Sequence, residues 1–388
     1  MEPRDEADVA EAVRAAAARG EPLEILGGGT RGLGHAIEGA PLVLGGLTGI
    51  TLYEPGALTL VARAGTPVAE VEAALAAEGQ RLPFEPWDGR ALTGANGIPT
   101  LGGMVAVNAS GPRRFQAGAC RDSLIGVRFV DGGGTVVRNG GRVMKNVTGL
   151  DLAKLLAGSH GTLGVLTEVA FKVLPVAHRT ATLVLDGLSP ETAGRAMRAA
   201  VATPYEVTGA AHVPSALGGG PVTLLRVEGF DGAVAHRTAA LTGALAEFGT
   251  ARVVEGPGDW AGLRDLAPLA GSPGAVWRIS VKPSDGPGLG AKLEAVGAEV
   301  VIYDWAGGLL SLRADAAVDI RAVMAGVPGH ATLVKGPETA KARFGVFHPE
   351  PAPAAALSAA LRAKFDPKGV LNRGRMAPAQ AAATVAMA

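Results

Sequence analysis

The sequence predicts an α+β protein of two domains, and three observations predict it. In the first half, short strands are joined by hairpin turns and interrupted by glycine-rich bends. After Pro175 the glycine bends thin out, and strand and helix patterns alternate more evenly. The length, 388 residues at 48% hydrophobic, is enough for two cores.

The elements follow in order. Residues 6–19 predict a helix, with Asp5 as N-cap and Gly20 as the stop. Leu23-Glu24-Ile25-Leu26 is a short strand feeding a first glycine bend, and Leu42-Val43-Leu44 is another strand. Residues 50–53 and 58–62 flank Glu54-Pro55-Gly56 and predict a hairpin. Thr66-Pro67 supplies an N-cap and first helical position for a helix to Glu78, stopped at Gly79. Residues 125–130 and 135–138 form a second hairpin around Asp131-Gly132-Gly133-Gly134, residues 151–156 a helix, and residues 165–174 a strand closed by Pro175. Beyond it, 182–185, 206–210, 222–228, 275–281, 300–304 and 309–313 predict strands, and 191–201, 233–248, 288–296 and 316–324 predict helices. The second domain is therefore α+β with a mostly antiparallel sheet. Residues 351–364 predict a final helix, and the Ala-rich end beyond Met376 a frayed tail.

Charge excludes several functions. Lys+Arg 36 balances Asp+Glu 36, so the chain has no general pull toward nucleic acid or acidic lipid. The lone cysteine, Cys120, excludes an internal disulfide and a Cys-built metal or iron–sulfur cage within this chain. No apolar run is long enough to span a bilayer, and the acidic start does not read as a leader. The expected location is the cytoplasm, held at the inner membrane, if at all, through partners. The 7 histidines contain no i,i+3 or i,i+4 pair, so no metal site is expected.

Two stretches are built to meet an anion through the backbone. The stretch Pro99-Thr100-Leu101-Gly102-Gly103 places two glycines where a short apolar helix begins, and it ends in the small polar segment Asn108-Ala109-Ser110-Gly111. A helix start carries N–H groups without partners, and glycine lets a bulky anion come close. The upstream bend Gly27-Gly28-Gly29-Thr30-Arg31-Gly32 follows a strand. It also satisfies G-x-G-x-x-G, but residues 33–39 make a poor helix, so a Rossmann unit is not supported. Together the bends fit the two sides of one dinucleotide pyrophosphate. A third stretch, Gly158-Ser159-His160-Gly161-Thr162-Leu163-Gly164-Val165, sets glycines among small polar residues before a strand, which permits close approach to a planar ring. Signatures of P-loop, zinc-protease and serine-hydrolase chemistry are absent from the sequence.

With Arg121-Asp122-Ser123-Leu124-Ile125-Gly126, Lys145-Asn146-Val147-Thr148-Gly149 and Phe365-Asp366-Pro367-Lys368-Gly369-Val370-Leu371-Asn372, these stretches resemble the vanillyl-alcohol-oxidase/PCMH-type FAD-binding family, and within it the FAD-binding subunits of glycolate-oxidising complexes. The resemblance implies a two-subdomain FAD-binding domain over 1–176, a cap over 177–334 and a segment over 335–376 returning to the first domain, with the frayed tail at 377–388. FAD would contact Gly27, Gly28, Gly29, Thr30, Arg31, Pro99, Thr100, Leu101, Gly102, Gly103, Asn108, Ser110, Gly111, Asn146, Gly149, Gly158, Gly161, Thr162, Gly164, Val165 and Asn372.

The sequence also departs from that pattern. No histidine lies between Gly27 and Gly34 and Cys120 reads as a small buried residue, so FAD is expected non-covalently. His160 stands where many relatives carry Glu, and Asn372-Arg373-Gly374 replaces Asn-Pro-Gly. Catalytic candidates are His160, Lys145 and Arg343, with Lys335 and His348 beside Arg343 as carboxylate partners; His160 reads equally as a hydrogen-bonded structural residue and Lys145 as a surface or phosphate-side lysine, while Arg343, Lys335 and His348 read first as solvated surface charges. The implied function is oxidation of a small 2-hydroxy acid, glycolate to glyoxylate. A larger catalytic flavoprotein subunit and an iron–sulfur subunit are the implied partners. A stand-alone FAD-dependent 2-hydroxy-acid dehydrogenase and a non-catalytic scaffold are the alternatives.

Overall fold

The computed structural model describes residues 1–141, 149–215 and 219–377. The first helix, Glu6–Arg19, is capped by Asp5, whose side chain accepts the Asp8 N–H, and stops at left-handed Gly20. Its buried face, Val9, Val13 and Ala16, packs on Leu23, Leu42, Leu44 and Leu47. The strand Leu23–Leu26 pairs in parallel with Ala40–Val43. It also bridges in parallel to Leu371, with the Leu23 N–H on the Val370 carbonyl at 2.7 Å. The C-terminal segment thus completes the small first subdomain.

The second subdomain is a five-stranded antiparallel sheet in the order Ile50–Glu54, Thr59–Arg63, Val165–Lys172, Leu124–Val130, Val136–Gly140. Both predicted hairpins are present. The helix Val68–Ala77 differs at its start: Pro67 takes the cap position, and the Thr66 hydroxyl accepts the Gly49 N–H at 3.0 Å instead. A tertiary partner outcompetes the local cap.

The cap holds an eight-stranded sheet, antiparallel throughout, in the order Arg252–Glu255, Arg179–Asp186, Val222–Gly229, Val207–Val213, Glu299–Asp304, Leu309–Ala314, Ala275–Val281, Gly329–Lys335. The two edge strands escape the sequence reading, because their exposed residues weaken the alternation. The helix expected over 316–324 shrinks to Ile320–Val323. Helices Pro190–Val201 and Gly286–Glu294 cover one face of the sheet. The other face shares a core with the first domain: Ala211, Val276 and Ile302 cluster with Phe84, Trp87 and Leu101.

Candidate cofactor site

A cavity of about 290 Å³ lies where the first subdomain, the second subdomain and the C-terminal segment meet. Its walls are the bend 27–32, the start of the helix Leu101–Ala106, the turn 159–164, and Asn372 with Arg375.

The two glycine bends touch. A Cβ on Gly27 would lie 2.5 Å from Thr100 Oγ1 and 3.7 Å from the Gly103 nitrogen. A Cβ on Gly28 would overlap the Ile98 carbonyl, and one on Gly97 would overlap the Gly28 carbonyl. Only glycine permits this backbone contact.

Hydrogen bonding separates the bends. At the helix start, Leu101 N–H donates to Thr66 O at 3.0 Å, Gly102 N–H to Ala64 O at 2.7 Å, and Gly103 N–H to Thr100 Oγ1 at 3.3 Å. The orphan amides expected there are already matched, Gly103 by a long bond. In the first bend, the N–H groups of residues 28–32 find no acceptor among the described residues. Gly29 and Gly32 are left-handed, at φ 64° and 56°. This bend is the one that can donate to an anion.

Arg31, next to it, is buried; its Nη2 donates to the Trp87 carbonyl at 2.9 Å, and its Nε is buried without a partner. Desolvation lowers its pKa.

The far wall is held by Asn372. Its Oδ1 accepts the Ile25 N–H and its Nδ2 donates to the His160 carbonyl, both at 2.8 Å. Asn372 and His160 are both left-handed, at φ 45° and 53°, which costs strain for a non-glycine residue. The His160 ring lies 4.7 Å from Phe347, and burial followed by the Arg375 charge pushes its pKa down to about 4. It is a neutral imidazole at pH 7. Arg375 pairs with Glu24 at 2.8 Å. The sequence reading assigned no role to Arg375 or Glu24. The signal was available, since Arg375 follows Asn372 by one turn and bonds its carbonyl.

Of the expected cofactor contacts, Gly27, Gly28, Gly29, Thr30, Arg31, Thr100, Gly102, Gly103, Gly161, Gly164 and Asn372 line the cavity. Others stand behind it. Pro99 accepts the Val68 N–H, Leu101 is fully buried, Asn108 Oδ1 accepts the Arg121 N–H, and Ser110 Oγ accepts the Cys120 N–H. The Gly111 carbonyl accepts from Trp305, the Gly158 N–H bonds Val105, the Thr162 hydroxyl bonds Ser159, and Val165 pairs with Val130. Gly149 is left-handed and off the cavity wall. Lys145 and Asn146 lie outside the described residues. Of the catalytic candidates, His160 is on the wall, while Arg343 stacks on Phe344 at 4.8 Å. Lys335 donates to Ser272 O, and His348 accepts the Ala331 N–H. Cys120 is fully buried, and desolvation pushes its thiol pKa up, which suppresses the thiolate.

Two subdomains clasping a cavity between glycine bends, with an antiparallel cap, define an FAD-dependent oxidoreductase of the PCMH type. Residues 1–140 match a family model described as an FAD binding domain. Glycolate oxidase subunit GlcE of Escherichia coli (strain K12) is 35% identical over 360 residues, covering 92% of each chain, and the chain belongs to this family of FAD-linked oxidoreductases. Glycolate oxidase subunit GlcD of Bacillus subtilis (strain 168) is 40% identical over 87 residues, 22% of this chain and 18% of that one. The solved structure of p-cresol methylhydroxylase with substrate bound superposes at a TM-score of 0.71, over 97% of this chain and 88% of that one, at 13% identity. That likeness is one of fold.

Proposed function

We propose that this chain is the FAD-carrying subunit of a complex that oxidises a small 2-hydroxy acid, with glycolate to glyoxylate as the leading reaction. The observation that carries the reading is the open row of N–H groups at 28–32, in a chain similar over nearly its whole length to a glycolate oxidase subunit. Those amides would hold the pyrophosphate, with the buried Arg31 guanidinium beside them. Gly161 and Gly164 would let the backbone approach a flat ring, and Asn372 would fix the turn that carries them. The buried, proton-retaining Cys120 supports non-covalent attachment. Bound there, FAD supplies a hydride acceptor for the C–H bond beside the hydroxyl. His160 would serve as a neutral hydrogen-bonding group rather than a cation.

Electrons would leave through an iron–sulfur partner, and a larger flavoprotein subunit would complete the assembly. The GlcE and GlcD relatives, both named as glycolate oxidase subunits, support a multi-subunit arrangement. No helix among the described residues is long and apolar enough to cross a membrane; a cytoplasmic location, with any membrane contact through partners, is part of the proposed reading.

The test is purification of the chain alone and with its partner subunits. The expected result is a yellow protein that holds FAD and reduces a dye with glycolate only when the partners are present. A colourless chain that refuses added FAD would leave only a scaffold role. Full turnover by the isolated chain would make it a stand-alone dehydrogenase.

A further inference from the structure

The helix Ala352–Phe365 is unlike the other long helices. Glu6–Arg19, Val68–Ala77, Pro190–Val201, Asp231–Ala244 and Gly286–Glu294 each bury residues along one side, whereas Ala352–Phe365 buries none. Yet its composition is that of a packed helix. The polar residues are Ser358, Arg362 and Lys364, and the rest are alanine, leucine, proline and phenylalanine. Residues 352–364 join none of the hydrophobic clusters of the described residues, and only Phe365 packs on a core, with its ring 6.1 Å from Phe129. A helix of this length gains little from propensity alone, and an apolar surface all round is the mark of burial.

Helical spacing sorts the surface. Ala355, Ser358, Leu361, Arg362 and Phe365 are half-buried. Pro353, Ala356, Leu357, Ala360 and Lys364 are exposed, Leu357 at 67%, and recur at the spacing of one outward face. The charge beside this face is of one sign. Arg362, Lys364, Lys368 and Arg373 make no ion pair among the described residues. Arg362 lies 3.6 Å from Met376 Sδ, which brings the segment 373–376 against the helix end. Arg373, which replaces the proline of the Asn-Pro-Gly pattern, is exposed. The carboxylates nearby are engaged. Asp366 accepts the Val370 and Leu371 N–H groups at 3.0 and 2.7 Å, Glu350 accepts the Ser358 hydroxyl, and Glu24 pairs with Arg375.

These features select the occupant. A membrane-seated face carries large apolar or aromatic side chains, and this one presents alanine with a single exposed leucine. Alanine lets two helix axes approach at the short end of the usual ~8–10 Å spacing. Two-fold pairing of two copies would set the cationic ends against each other or against the positive helix N-terminus. A different subunit can bring carboxylates to all four cations.

We propose that Ala352–Phe365 is the docking helix for the larger flavoprotein subunit of the complex, which lays a helix of small apolar residues along 353–364 and sets carboxylates against Arg362, Lys364, Lys368 and Arg373. The inference rests on the multi-subunit reading given above, which the glycolate oxidase subunit relatives support. The docking helix runs through Asp366 into Leu371 and Asn372, so the docked subunit stands on the segment that closes the cofactor cavity.

The test is ultracentrifugation and surface-plasmon titration of the full, FAD-loaded chain against the purified GlcD-type subunit of the same organism. The wild type should be a monomer alone and bind that subunit with an affinity that falls as salt rises. Leu357→Glu keeps a good helix former and turns a carboxylate toward an acidic rim; it should weaken binding by about 30-fold or more. Ala360→Gln, by holding the helices apart, should weaken it by about 10-fold. Lys364→Glu with Lys368→Glu should weaken it by about 10-fold and flatten the salt dependence. Flavin content and melting temperature of the free chain should stay at wild-type values, because these side chains belong to no core. Wild-type affinity in both Leu357→Glu and Ala360→Gln overturns the inference. So does a wild type that dimerises alone and is made monomeric by Leu357→Glu. So does a wild type that binds phosphatidylglycerol vesicles through the same residue. An unchanged salt dependence in the lysine double variant overturns the acidic rim. Should Leu357→Glu lower the melting temperature, Leu357→Ala, expected to weaken binding by about 5-fold, takes its place. The two readings separate. A wild type that binds the subunit, with every variant equal to it, breaks this inference alone. A wild type that ignores the subunit breaks the multi-subunit reading and this inference with it, while flavin absorbance in the same samples still tests the cofactor.

Discussion

The two glycine bends that meet at the cavity look alike in sequence and behave differently. The N–H groups of residues 28–32 point to no acceptor among the described residues. The bend at 99–103 returns its N–H groups to Ala64, Thr66 and Thr100. Composition does not explain this, since both are glycine-rich. What differs is the chain behind each one. The turn after the strand Thr59–Arg63 brings the carbonyls of Ala64 and Thr66 under the helix start. A glycine pattern specifies close approach, and partners distant in sequence decide which amides stay available.

The largest effect that sharpens this contrast comes from alanine within the first bend. A Cβ on Gly28 would overlap the Ile98 carbonyl, which is backbone and cannot rotate away. Gly28→Ala should therefore cost about 3 kcal/mol or more and empty the flavin site. Gly29→Ala meets nothing within 4 Å and carries only the strain of its left-handed backbone, about 1 kcal/mol. Gly102→Ala should fall between them, because its Cβ would press on Ala64 at 2.9 Å. A larger side chain at Gly102 would thus act by displacing the helix, rather than by filling phosphate space. Urea unfolding with flavin absorbance ranks the three, and equal losses would show that the bends do not pack as described.

Next comes the clamp opposite the bends. Asn372→Ala removes an acceptor from the Ile25 N–H and a donor from the His160 carbonyl, and places alanine at φ 45°. The expected loss is about 2–4 kcal/mol, with flavin retention falling alongside. Asn372→Asp keeps the acceptor and should lose less. If both variants unfold like the wild type, the C-terminal segment does not fix this wall.

Much of this was legible in the sequence, and the limits have physical causes. Asp5, Gly20 and the Asp131–Gly134 turn speak for themselves, because caps and tight turns depend on residues a few positions apart. The glycine bends and Asn372 were readable as places of close approach. The division of labour between the bends was not, since it depends on Ala64 and Thr66 meeting residues far along the chain. Thr66 misled for the same reason, its hydroxyl taken by Gly49. The carboxylate candidates read from the sequence lay near the returning segment, where Lys335 and His348 already have partners.

A smaller effect tests the second bend alone. Thr100→Ala removes the acceptor for the Gly103 N–H and should cost about 1 kcal/mol. Thr100→Ser should cost less, since it keeps the oxygen. If the first bend supplies the donors to the pyrophosphate, flavin affinity should fall much less in Thr100→Ala than in Gly28→Ala. Equal loss of flavin in the two would return the helix start to the role its sequence suggests.

The smallest expected effect is a slope. The His160 imidazole titrates near 6.5 when unfolded and near 4 in the folded wall, because burial and then Arg375 disfavour its charged form. Between those values the unfolded chain holds more protons. The stability tied to the neutral ring is complete above about pH 6.5 and is lost as pH falls toward 4. Other histidines with lowered pKa values, His35 and His212 among them, contribute in the same direction, so the reading is a difference. His160→Asn tolerates the left-handed backbone and removes the titration. Its melting temperature should decline less than that of the wild type between pH 7 and pH 5. Thr100→Ala, on the opposite wall, should keep the wild-type slope. Parallel declines in the wild type and His160→Asn would mean that His160 is solvated and does not form part of the wall that Asn372 holds in place.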